Sequence, residues 1–96
     1  MVYEKKISSF PKVMSELSTL DSDGGIRSTG RFSSRKCFVF VTRSASVYTA
    51  ALYSIKKVRK ESLPDKRLTV KEFASLKELE NFLLAVISKP VRAFAY

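Results

Sequence analysis

Apolar residues at Phe10, Val13, Met14, Leu17 and Leu20 recur at offsets of three and four, which sets them on one face of a helix. Ser8 or Ser9 can cap its start, and Pro11 suits a first turn, where its missing N–H costs nothing. The DSDGG run at 21–25 ends it, with Gly24 and Gly25 able to take positive φ. A second stripe of Leu76, Leu79, Phe82, Leu83, Val86 and Ile87 predicts a closing helix. Ser75 and Glu78 stand in capping-box spacing at its start, and Pro90 stops it.

Between the helices the period changes to two. In IRSTGRFSSRK (26–36), Arg27, Thr29, Arg31 and Ser33 alternate with Ile26, Ser28, Gly30 and Phe32; its polarity and Gly30 predict an exposed edge strand or a mobile loop. CFVFVTR (37–43) reads as a strand apolar on both faces, followed by a short SAS turn. VYTAALYSIKKV is a long strand rich in β-branched and aromatic residues, and RKESLPDK predicts a loop closed by Pro64-Asp65. RLTVKEF (67–73) alternates, with Leu68 and Val70 on one side and Arg67, Thr69, Lys71 and Phe73 on the other. The tail VRAFAY is short and apolar. The expected order is α-β-β-β-(β)-α. It describes an α+β fold in which an antiparallel sheet of three to four strands carries an N-terminal and a C-terminal helix on one face. Residues 1–96 form a single domain.

Composition narrows the chemistry. The chain is 45% apolar and 28% charged, enough to bury a core, and no stretch approaches the length of a membrane span. MVYEKKISSF lacks the apolar run of a secretory signal, so a soluble, cytoplasmic protein with no membrane partner is expected. Cys37 is the single cysteine, reads as a small buried hydrophobe and leaves no internal disulfide. The chain has no histidine, which removes the usual general base and the commonest zinc ligand. No catalytic residue, metal site or cofactor is expected. Asp21 and Asp23 are close in sequence but read as helix-end polar residues.

Net charge is +9, and its placement matters more than its size. From Gly24 to Lys60 there is no Asp or Glu, while Arg27, Arg31, Arg35, Lys36, Arg43, Lys56, Lys57, Arg59 and Lys60 all fall there. Outside that segment basic and acidic residues balance at nine each. An acid-free run repels itself unless a polyanion meets it, and nucleic acid is the commonest such partner. Aromatic residues are interleaved with this charge. If Cys37, Val39 and Val41 take the core, Phe38 and Phe40 point the other way, where large apolar groups are usually functional. Phe32, Phe38, Phe40, Tyr48 and Tyr53 are the stacking candidates, some of which must be core. Exposed rings among cations suit single-stranded nucleic acid, whose bases stack while its phosphates meet lysine and arginine. Duplex reading would want a basic recognition helix, and Lys12 stands almost alone on the first helix. Two serines of GRFSSRK, flanked by arginines, are modification candidates that would lower the local charge.

A helix, the basic GIRSTGRFSSRKCFVFV stretch feeding an antiparallel sheet, and the closing FASLKELENFLLAVI helix together resemble the DNA-binding domain of ThermoDBP-related archaeal proteins over about residues 8–90. The resemblance implies single-stranded DNA binding without catalysis and self-association into homodimers or homotetramers. No long C-terminal zipper is present in this sequence. The same element order is similar to the Alu-binding proteins of the signal recognition particle, which implies structured RNA as an alternative ligand. A protein-interaction module is a further alternative, since Leu76, Leu79, Leu83 and Val86 also suit packing against a second copy.

Overall fold

The computed structural model describes residues 5–21, 24–89 and 91–96. Its elements are β1 (Lys5–Ile7), α1 (Phe10–Ser18), β2 (Gly25–Phe32), β3 (Arg35–Ser44), β4 (Val47–Val58), β5 (Glu61–Phe73), α2 (Leu76–Val86) and β6 (Ala93–Ala95). All six strands form one antiparallel sheet in the order β1-β6-β2-β3-β4-β5.

This corrects the expected sheet of three to four strands with a helix at each end of the chain. Strands flank both helices, and the tail forms β6, inserted between β1 and β2. Ala93 pairs with both Ile7 and Ser28, so a three-residue strand ties the two ends of the chain into one ladder. β2 is accordingly an interior strand, not an edge or a loop. Gly30 serves it by close approach: a Cβ there would clash with the Val86 carbonyl and lie 2.8 Å from Val39 Cγ2.

The 59–66 stretch is likewise no loop. β4 and β5 continue through it as a hairpin in which Val58 pairs with Glu61 and Ile55 with Pro64. Its two-residue turn, Arg59-Lys60, has φ of 51° and 71°, and Ser33-Ser34 does the same between β2 and β3 with 53° and 66°. Paired left-handed residues match the twist of antiparallel strands, which is why hairpins favour them. Here no glycine or asparagine provides them, so the long flanking ladders must hold the turns against a backbone cost.

One sheet face is covered. Val13 and Leu17 of α1 and Leu79, Leu83 and Val86 of α2 join Ile26, Cys37, Val39, Val41, Ala50 and Leu52 in a single buried cluster. Ser75 caps α2, its Oγ accepting the Glu78 N–H at 3.1 Å. α2 ends where Ile87 turns extended and bridges Gly30; Pro90 lies outside the described residues. α1 ends at Ser18, before the glycines, and neither Gly24 nor Gly25 takes positive φ. Gly25 instead lies under the Tyr96 ring, whose hydroxyl a Cβ would meet at 2.7 Å. The alternation expected for 67–73 breaks at Leu68, which the register skips between Arg67↔Tyr53 and Thr69↔Leu52. This bulge turns Leu68 against the core and leaves Val70 exposed. Among the described residues no helix is long and apolar enough to cross a membrane.

Candidate nucleic-acid interface

The sheet face opposite the helices carries no helix. Strand alternation assigns it the residues between the core positions, and the register lines them up across the sheet. One row runs Lys6, Phe94, Arg27, Phe40, Ala51 and Val70; the next holds Thr29, Phe38, Tyr53 and Arg67. Beyond them Arg31 pairs with Lys36. At the opposite end Thr42, Thr49 and Glu72 close the face.

The rings interlock in the middle of this face. Phe40 meets Tyr53 edge-on at 5.5 Å between centroids, and Phe38 lies 6.2 Å from Phe40. Phe40 and Tyr53 remain half-buried, lining an open cleft of about 480 Å³ with Thr42, Ala51 and Pro64. Phe38 is only 8% exposed, although no helix covers it. The β4–β5 ladder shifts register near Tyr53 and Ile55, and Ser62 of this hairpin comes beside Phe38. Ser62 thereby lines a small cavity with Arg27, Phe38, Arg92 and Phe94. The Arg27 guanidinium also sits 5.0 Å over the Phe94 ring.

The sequence-derived candidates divide by face. Arg27, Arg31, Lys36, Phe38, Phe40, Tyr53 and Lys57 belong to the open face, and Arg59 and Lys60 form the β4–β5 turn. Tyr48 does not belong: it is 6% exposed beneath α1, and its hydroxyl donates to the Leu17 carbonyl at 3.1 Å. Phe32 packs against the same core. Arg43 also lies on the helix side, where it braces the β3–β4 turn. Its Nε donates to the Ala45 carbonyl at 2.9 Å, and its guanidinium stands 5.2 Å over the Tyr48 ring. Arg35 and Lys56 are exposed, but alternation points them away from the rings.

Four open-face residues escaped the sequence reading: Lys6, Arg67, Arg92 and Phe94. Arg67 was hidden by the bulge at Leu68, which reverses the facing of the strand. The other three sit on short terminal strands or beside them, whose pairing left no periodic signal.

On this face Arg31, Lys36 and Lys57 make no ion pair among the described residues. The ion pair found among the described residues, Lys5–Glu16 at 2.6 Å, lies on the helix side. No three potential metal ligands converge among the described residues. Burial raises the Cys37 thiol pKa above its usual value, which keeps the sulfur protonated in the core. No protein-family model, curated protein or solved structure matches this chain. The functional reading therefore rests on the chemistry of the site.

Proposed function

We propose that the helix-free face binds single-stranded nucleic acid without sequence preference and without catalysis. The observation that carries this is the half-exposed Phe40–Tyr53 pair, held in an open cleft on a face where Arg31, Lys36 and Lys57 make no ion pair among the described residues. Every base has a π-face, so ring stacking tolerates any sequence and contributes about 1–3 kcal/mol per base. Arg27, Arg31, Lys36 and Lys57, with Arg59 and Lys60 at the β4–β5 turn, supply the phosphate contacts. A duplex offers the ring pair no free base to stack on, because its bases are stacked on one another. Stacking and phosphate contacts serve single-stranded DNA and RNA alike.

Fluorescence anisotropy of labelled oligo(dT), its hairpin duplex and poly-uridine across a salt series tests the reading. Log K should fall with log salt by about 0.7 per neutralised phosphate for a single strand. Equal affinity for duplex and single strand would reduce the face to a charged patch. Preference for a folded RNA would favour the Alu-type alternative.

Self-association fits the same molecule. The outer edge of β5 is thirteen residues long and carries Leu63 and Val70, 41% and 40% exposed. Pro64 and the register shifts interrupt its first half, and the regular stretch 69–73 is the part open to a second strand. A homodimer or homotetramer built on it would extend the open face, and sedimentation of the full chain reads the mass directly. We assign this binding to the cytoplasm.

A further inference from the structure

At the end of the open face lies a second, differently built cleft. The chain leaving α2 is fastened along the free part of β2, where Ile87 bridges Gly30 and the Ser88 N–H donates to the Thr29 carbonyl at 3.2 Å. That attachment brings Lys89 and Arg92 beside Arg31 and Lys36, which already face each other across β2 and β3. The four cations line a cleft of about 320 Å³ together with Ile55, and no acid is in its wall. None of the four makes an ion pair among the described residues. Like charges set directly opposite one another in a sheet are destabilising, so a cluster of this kind asks for an anion.

The number of cations points to the kind of anion. A phosphodiester in a nucleic-acid backbone carries one negative charge. A phosphomonoester carries about −1.5 to −2 at neutral pH and offers three strong acceptor oxygens. Charge-assisted hydrogen bonds from lysine and arginine are the strong ones, and four such donors match the monoester better than the diester. The cleft also lies about 13 Å along β3 from Phe40, four residues at about 3.3 Å each. A strand stacked on Phe40 and Tyr53 can therefore deliver its end to this cleft.

We infer that the Arg31–Lys36–Lys89–Arg92 cleft binds the terminal phosphomonoester of a single strand, so that the protein recognises phosphorylated strand ends. This rests on the single-strand reading for its ligand, but on Lys89 and Arg92 for its selectivity. A free mononucleotide presents the same chemistry, and the test separates the two sources.

The experiment measures anisotropy of oligo(dT) bearing a 5′-phosphate, a 3′-phosphate or neither, with thymidine monophosphate as competitor. One phosphorylated form should bind roughly tenfold more tightly than the unphosphorylated strand, the effect of one added charge-assisted hydrogen bond. The ratio should shrink from about pH 7.5 to about pH 5.5, as the phosphate takes up its second proton near pH 6. The groups facing that phosphate are Arg31 from β2, Lys36 from β3, and Lys89 and Arg92 from the α2–β6 segment, with Ile55 from β4. No acid lines the cleft, and the chain has no histidine. The K89Q/R92Q variant should lose the ratio between phosphorylated and unphosphorylated strands; K89Q alone should reduce it if the double variant fails to fold. Equal binding of all three strands by the wild-type protein would overturn the inference and leave the single-strand reading standing. Binding of no strand would overturn both. Thymidine monophosphate binding as tightly as the phosphorylated strand would assign the cleft to free nucleotides and overturn strand-end recognition.

Discussion

Leu52 and Tyr53 are neighbours on β4 that point to opposite sides of the sheet, and truncating each should produce opposite phenotypes. Leu52 is 0% exposed, paired with Val39 under the helices. Leu52→Ala opens a cavity in that core and should cost about 2–5 kcal/mol. For a domain of this size about 1 kcal/mol moves Tm by roughly 4–8 °C, so Tm should fall by at least about 8 °C. Tyr53→Ala removes the edge-on contact with Phe40, worth about 0.5–1.5 kcal/mol beyond the burial lost with the ring, and should lower Tm by at least about 2 °C. Its effect on binding should be larger. Losing one stacked base at about 1–3 kcal/mol raises Kd for oligo(dT) roughly 5- to 150-fold. Circular-dichroism melts give the first quantity. Anisotropy, at a temperature where both variants are folded, gives the second. Tyr53→Ala with an unchanged Kd, or folded Leu52→Ala weakened as much as Tyr53→Ala, would refute the assignment of binding to the open face.

Three further outcomes follow from the same packing. Tyr48→Phe removes the bond to the Leu17 carbonyl and should cost about 0.5–1.5 kcal/mol in a denaturant melt, with oligo(dT) affinity unaltered. Gly30→Ala should destabilise by about 1–3 kcal/mol, because the new methyl meets the Val86 carbonyl and Val39 and neither has room to retreat; a melt as stable as wild type would contradict the tight β2–α2 seam. The raised Cys37 pKa means that the fold favours the neutral thiol. That contribution is fully present below the unfolded thiol value and is lost as pH rises through the folded one. A disulfide reagent should thus label Cys37 slowly in the native protein and rapidly in denaturant.

What the sequence determined was local. The stripes of α1 and α2 follow from a 3.6-residue period, and the Ser75 cap from hydrogen bonds spanning three residues. The opposition of Val39 to Phe40 follows from the two-residue period of a strand. Each of these is set by neighbours in the chain, so composition and spacing suffice to read it. They placed Phe40, Tyr53, Arg27, Arg31 and Lys36 in one candidate surface, but they did not separate Tyr48, Phe32 and Arg43 from it. Only the tertiary structure decided what pairs with what. Backbone hydrogen bonds of a ladder are the same whatever the side chains, so three-residue strands such as β1 and β6 leave no periodic trace. The Arg59-Lys60 turn lacks the glycine or asparagine that would have announced a hairpin. Lys89 and Arg92 join Arg31 and Lys36 only because Ile87 and Ser88 are fastened to β2, a contact between residues nearly sixty positions apart in the chain.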